Sequence, residues 1–166
     1  MKPVVSFVGN SGSGKTTLLE RVVSELKQLG YRVAIVKHTH HSYDIDKTGK
    51  DTWRLAQAGG DIVAISSPKR MALFERVDSE LSLPEIAARF GNRVDIVLAE
   101  GYKGTGTAKI LVTGANTDEE PPDYSGETLA TASARLTPSG ALQFDPADVT
   151  RITKLILRHC GVEKAP

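Results

Sequence analysis

The sequence predicts an α/β fold in three layers, with a mostly parallel central sheet and helices on both faces. Three observations carry that expectation. Short apolar runs such as Val4-Val5-Ser6-Phe7-Val8 and Val94 to Ala99 are nearly continuous, as in strands covered on both faces. They alternate with segments whose apolar residues recur at helical spacing. A glycine-rich turn, Gly9 to Gly14, joins the first strand to the first helix. A strand, a helix and a second strand in that order form a right-handed crossover between parallel strands.

Taken in order, Val4 to Val8 is the first strand. From Thr16 the apolar positions Leu18, Leu19, Val22, Val23, Leu26 and Leu29 share one helical face, and Gly30 ends that helix. Tyr31 to Lys37 is the second strand. Residues 38–50 carry His38, His40, His41, Asp44, Asp46 and Lys47, too long and too charged for a simple connector, so they mark a functional loop. Asp51 to Ala58 reads as a short helix, with Asp51 either its N-cap or part of the functional segment. Asp61 to Ile65 and Met71 to Arg76 form a hairpin around Ser67-Pro68-Lys69. Ser82 and Glu85 make a capping box for a helix through Phe90 that Gly91 closes. Val94 to Ala99 and Lys109 to Val112 are further strands. Residues 113–127 are loop, Leu129 to Ala134 is a weaker strand, and Pro138-Ser139-Gly140 is a turn. Asp145-Pro146 reads as N-cap and first residue of a last helix reaching about His159.

A length of 166 residues suggests one domain, 1–166, with a sizeable core. Lys plus Arg number 21 and Asp plus Glu 20, a net charge of +1 that argues against a general nucleic-acid or membrane-surface binder. The one cysteine, Cys160, forms no internal disulfide and no Cys-rich metal site. No apolar run approaches the ~18 residues of a membrane span, and the apolar start is too short for a signal peptide. These features together suggest a cytoplasmic protein.

Gly9-Asn10-Ser11-Gly12-Ser13-Gly14-Lys15-Thr16 fits the phosphate-binding pattern G-x-x-x-x-G-K-[ST], in the required place between strand and helix. Glycines let the backbone approach an anion, and successive N–H groups at a helix N-terminus point at its oxygens. Lys15 would bridge the β- and γ-phosphates and Thr16 would offer its hydroxyl to Mg²⁺. This motif makes the fold a P-loop NTPase fold. Its second element is an acidic residue after another apolar strand, and Glu100 fits. Lys15 and Glu100 are therefore the candidate catalytic residues. Lys103 either faces an anion or is solvated. The histidine cluster could bind a transition metal, contact an anionic ligand, or orient its loop.

Several segments occur together in a fixed order. They are Gly9–Thr17, Lys37-His38-Thr39-His40-His41 with Asp44 and Asp46, Gly49-Lys50-Asp51-Thr52, Arg54, Ala58-Gly59, Leu98-Ala99-Glu100-Gly101-Tyr102-Lys103 and Lys109-Ile110. In these the chain resembles the MobB family, accessory proteins of molybdopterin-guanine dinucleotide biosynthesis, over residues 3–112. The resemblance implies a GTP-binding homodimer with weak, Mg²⁺-dependent GTPase activity. It implies partners too, the guanylyltransferase MobA and the molybdenum insertase, while the charge balance and the lack of a long apolar run give the expectation of no nucleic acid and no membrane. By the same resemblance Gly9, Asn10, Ser11, Gly12, Ser13, Gly14, Lys15, Thr16 and Thr17 bind phosphates. Thr16, Glu100 and Asp46 serve Mg²⁺. His38, His40, His41, Lys50 and Lys103 line a pocket for anionic groups of a nucleotide, of molybdopterin or of its guanine dinucleotide. The sequence carries no Asn-Lys-x-Asp motif, so guanine preference rests on the resemblance. Two other classes stay open, a small-molecule P-loop kinase and a metal-insertion chaperone GTPase. The first lacks a clustered arginine lid, since Lys69-Arg70 and Arg89 to Arg93 are scattered, and the second is motivated by the histidines.

Overall fold

The computed structural model describes residues 2–39, 46–114, 120–134 and 142–162. In chain order the elements are β1 (Val4–Val8), α1 (Lys15–Gln28), β2 (Val33–Lys37), α2 (Asp51–Gln57), β3 (Ile62–Ser66), β4 (Met71–Glu75), α3 (Leu83–Phe90), a 3-10 turn (Gly91–Arg93), β5 (Ile96–Glu100), β6 (Ala108–Thr113), β7 (Thr128–Ser133), β8 (Gln143–Phe144) and α4 (Val149–Cys160). They fall into two compact units, residues 1–38 with 82–166, and residues 39–81.

The larger unit holds a six-stranded sheet in the order β2-β5-β1-β6-β7-β8. Every neighbouring pair in it is parallel. Parallel strands need both faces covered, and the side chains show how. Val5 and Phe7 of β1, Ile96 and Leu98 of β5, and Ile110 and Val112 of β6 point to one face. There they pack against Leu18, Leu19, Val22 and Leu26 of α1 and Ile152, Ile156 and Leu157 of α4. On the opposite face Val4, Val36 and Ala99 pack with Leu83 and Ile86 of α3 and with Tyr102. Fully burying an aromatic or aliphatic side chain such as Phe7 contributes about 1.5–3 kcal/mol, so this double-sided core holds the loops at the strand ends in place.

The helix ends explain most of the differences from the sequence reading. Tyr31 belongs to the end of α1 rather than to β2. Its N–H donates to the Leu26 carbonyl while that of Gly30 (φ 78°) donates to Lys27, a Schellman closure with Tyr31 and Leu26 both buried. The last helix starts after Asp148, not at Pro146. Asp145 instead builds a turn, accepting the Ala147 N–H on its carboxylate at 2.7 Å and the Asp148 N–H on its carbonyl. Lys50, not Asp51, stands at the N-cap of α2. Strand β5 begins later than Val94 and runs through Glu100, because Asp95 leaves the strand to pair with Arg32 at 2.6 Å. The capping box of Ser82 and Glu85 forms as read. The short strand β8 and the 3-10 turn have no counterpart in that reading.

The unit of residues 39–81 contains α2 and the antiparallel hairpin β3–β4, whose turn is closed by hydrogen bonds between Ser67 and Arg70. In register, Ile62 lies opposite Glu75, Ala64 opposite Leu73 and Ser66 opposite Met71. Opposed residues share a face, and on this one Ile62, Leu73 and Met71 are all more than half exposed. Val63, on the other face, is buried. Among the described residues no helix is long and apolar enough to cross a membrane.

Candidate functional site

The C-terminal ends of β1, β2 and β5 converge on one place. The loop leaving β1 turns through Gly9 (φ 154°), Gly12 (φ 75°) and Gly14 (φ 89°), and Gly14 caps α1 in the left-handed conformation. Gly9 also meets β6 closely: a Cβ there would lie 2.1 Å from the Val112 carbonyl oxygen. Glycine is needed on both counts. The first N–H groups of an α-helix have no partner within it, so the start of α1 offers donors to an anion, while the Ser13 N–H closes the loop on the Asn10 carbonyl at 3.2 Å.

Lys15 folds back so that its ammonium donates to the Asn10 carbonyl at 2.5 Å. Burial lowers its pKa, Glu100 opposes that, and Lys103 and Lys37 lower it further. Thr16 donates its hydroxyl to Glu100 Oε2 at 2.9 Å. The Ser13 hydroxyl is buried in this loop with no hydrogen-bond partner. Asn10 reaches across to donate to the Glu120 carbonyl at 2.9 Å. A buried hydroxyl without a partner costs free energy unless a ligand supplies one, and a phosphate oxygen would. The hydroxyl of Thr16 and the carboxylate of Glu100 are hard oxygen donors of the kind Mg²⁺ takes. The residues present therefore fit a phosphate with Mg²⁺.

Glu100 is positioned by its strand. In register it lies beside Phe7 of β1 and Lys37 of β2. Its Oε1 sits 3.3 Å from the Lys37 ammonium, and its backbone carbonyl accepts the His38 N–H at 2.9 Å. The chain then turns sharply. Gly101 (φ 94°) packs so tightly that a Cβ there would lie 3.1 Å from His38 Cβ. Tyr102 is the one non-glycine residue of positive φ, at 54°, among the described residues. Its buried ring lies 4.7 Å from the imidazole of His38. A strained residue of this kind persists only where its surroundings hold it.

The structure thus brings Lys15, Thr16, Glu100, His38 and Lys103 to one end of the sheet, and adds two residues absent from the candidate site set, Lys37 and Tyr102. The signal for Lys37 was available. A lysine ending one strand faces the acid ending the next once the two strands are known to be neighbours. Thr17 is exposed in the first turn of α1. Asp46 and Lys50 belong to the unit of residues 39–81, where Lys50 closes a turn with Lys47 before α2. His40, His41 and Asp44 lie outside the described residues.

A fully parallel sheet with a glycine-rich loop between β1 and α1, and an acidic residue ending the neighbouring strand, defines a P-loop NTPase fold. The comparisons specify it further. The family described as molybdopterin guanine dinucleotide synthesis protein B, MobB, matches residues 4–134. The molybdopterin-guanine dinucleotide biosynthesis adapter protein of Haemophilus influenzae is 37% identical over 132 residues, 79% of this chain and 74% of that protein. The adapter protein of the same name from Escherichia coli is 39% identical over 115 residues, 68% of this chain and 66% of that protein. A crystal structure of molybdopterin-guanine biosynthesis protein B superimposes with a TM-score of 0.76 at 31% identity, covering 95% of this chain and 99% of the other. The chain belongs to the MobB family.

Proposed function

We propose that this chain is a GTP-binding adapter in the formation of molybdopterin guanine dinucleotide, holding GTP with Mg²⁺ at the loop Gly9–Thr17. One observation carries the reading. Lys15, Thr16 and Glu100 stand together at the N-terminus of α1, beside a buried Ser13 hydroxyl with no partner. In this reading Lys15 leaves the Asn10 carbonyl for the β- and γ-phosphates. The amides of the loop and of the first turn of α1 hold the phosphate oxygens. Thr16 and Glu100 hold Mg²⁺, with Asp46 as a further magnesium-site residue. That ion, when bound, neutralises charge on the β- and γ-phosphates. His38, His40, His41, Lys50 and Lys103 receive anionic groups of the nucleotide, of molybdopterin or of its guanine dinucleotide.

Among the described residues the groups gathered around the loop are lysines and a threonine, which suit phosphate, and a glutamate, which suits the metal ion. An arginine finger or a positioned glutamine is what speeds hydrolysis elsewhere by large factors. The activity is accordingly at most slow, Mg²⁺-dependent GTP hydrolysis, and the protein acts in the cytoplasm through partners, the guanylyltransferase MobA and the molybdenum insertase. The exposed face of Ile62, Leu73 and Met71 supports a homodimer, since a two-stranded hairpin is marginal alone and its edges invite further pairing.

Calorimetry with GTP and with ATP, each with Mg²⁺, tests the site and the choice of base together. GTP is expected to bind more tightly than ATP, and Lys15→Ala to weaken binding by about tenfold or more, an effect above about 1.4 kcal/mol. Unchanged GTP affinity in Lys15→Ala would remove the phosphate site from this loop.

A further inference from the structure

The two oxygens of Glu100 are shared between two different elements. Oε2 accepts the Thr16 hydroxyl from α1, at 2.9 Å, and Oε1 faces the Lys37 ammonium from β2, at 3.3 Å. The partners differ in kind. The Glu100 side chain is only 12% exposed, so water alone does not solvate its charge, while the Lys37 side chain is 65% exposed. A partly buried carboxylate is costly without a cation beside it. A lysine on a flexible, exposed stem supplies one cheaply and gives it up cheaply. The separation of 3.3 Å is also longer than the ~2.7–2.9 Å of a tight charge-assisted hydrogen bond.

We propose that Lys37 is a resident counter-ion for Glu100, offsetting the charge of the carboxylate while no divalent cation is present and yielding it when one binds. This inference rests on the reading of Thr16 and Glu100 as the magnesium site. Without Lys37, the carboxylate would stand uncompensated next to the phosphates and repel them. With it, the loop accepts a nucleotide before a metal has arrived. Once displaced from Glu100, the Lys37 ammonium remains close to Lys15, whose proton affinity it already lowers. It is then a positive charge free to face the outer phosphate. Lys37 is thus a positioning residue that sets how strongly nucleotide binding depends on metal. Lys103 acts on Lys15 too, but it forms no ion pair with Glu100 and serves as the comparison.

The test measures GTP affinity of the full chain by calorimetry, in EDTA and in saturating Mg²⁺, for Lys37→Met, Lys103→Met and Lys37→Arg. Lys37→Met is expected to weaken metal-free binding by about fivefold, the scale of a partly exposed ion pair, while changing binding with Mg²⁺ by less than about twofold. Lys103→Met is expected to weaken both by a similar factor, and Lys37→Arg to restore the wild-type ratio. Adding Glu100→Gln should recover metal-free affinity in the Lys37→Met protein but not in the wild type, since there the carboxylate is already compensated. Equal losses with and without Mg²⁺, or additive effects in that cycle, would overturn the proposal. A second readout needs no nucleotide. Mn²⁺ titrated into the free protein and followed by its electron spin resonance should bind Lys37→Met more tightly than wild type, and equal affinity would also overturn it. If wild-type protein binds no GTP, the functional reading fails, and the Mn²⁺ titration still decides the role of Lys37.

Discussion

Replacing Gly9 by alanine separates two roles of the phosphate loop, its backbone conformation and its close packing on β6. The new Cβ would fall 2.1 Å from the Val112 carbonyl oxygen, 0.9 Å inside the 3.0 Å that real Cβ atoms respect, and 2.8 Å from Ser13 Oγ. Ser13 can rotate. The Val112 carbonyl cannot, because Val112 is buried and paired with Ala132 of β7. Overpacking of this kind costs about 1–3 kcal/mol, and the positive φ adds about 1–2 kcal/mol. Gly9→Ala should therefore lose about 2–5 kcal/mol, lowering Tm by about 5–15 °C. Gly12 and Gly14 are the controls. Each has positive φ, but a Cβ there meets nothing within 4 Å. Alanine at either should cost only the conformational part, about 1–2 kcal/mol. Urea unfolding followed by circular dichroism gives the three values under one protocol. If Gly9→Ala proves no more destabilised than Gly12→Ala, the close approach of loop and strand is not a structural constraint and the argument fails.

Burial pushes the Cys160 thiol up to about 11, so it should react far more slowly with a disulfide reagent at pH 8 than after unfolding. Equal rates would show it accessible. Burial pulls Lys109 down to about 8 from 10.5. The folded state thus releases that proton first, and stability gains from this group as pH rises from about 8 to 10.5. The difference in unfolding free energy between wild type and Lys109→Met should grow over that window, and a flat difference would place the ammonium in solvent. Leu73→Asp should convert a dimer to monomer in sedimentation, and an unchanged dimer would take the hairpin face out of the interface. Burial, and to a lesser extent Lys103 and Lys37, lower the pKa of Lys15, and a bound polyphosphate would raise it again. GTP binding at alkaline pH should therefore take up protons, visible as a buffer-dependent calorimetric enthalpy.

What the sequence revealed depended on how local the cause is. Strand β1 and helix α1 were legible because nearly every apolar residue in them is buried, on both faces of the sheet or along one stripe of the helix. The box of Ser82 and Glu85 was legible because both partners lie within four residues. Strand β8 was not, because its two residues carry no periodicity and it is defined by pairing with β7. Asp145-Pro146 misled because an N-cap and a free-standing Asx turn use the same residue types. At β5, a polar residue seemed to end the strand, yet Glu100 continues it, since the last position of a parallel strand is where site side chains emerge. Lys37 was visible as a residue and not as a partner. Its relation to Glu100 depends on the strand order, with β2 next to β5 rather than next to β1.

The net charge of +1 gains a meaning from this geometry. Three lysines and one glutamate meet at the phosphate loop, where burial first, and then the charges of Lys103 and Lys37, lower the proton affinity of Lys15. Glu100 offsets part of that positive charge, pairing with Lys37 and raising the proton affinity of Lys15. Backbone amides and the N-terminus of α1 add positive potential that no count of charged residues includes. A protein that bound polyanions through its whole surface would need a basic excess. One that binds a single polyphosphate can stay near neutrality, because attraction is confined to a few ångströms around the loop and is screened beyond them. The balanced composition is therefore compatible with the proposed capture of one polyphosphate at this loop.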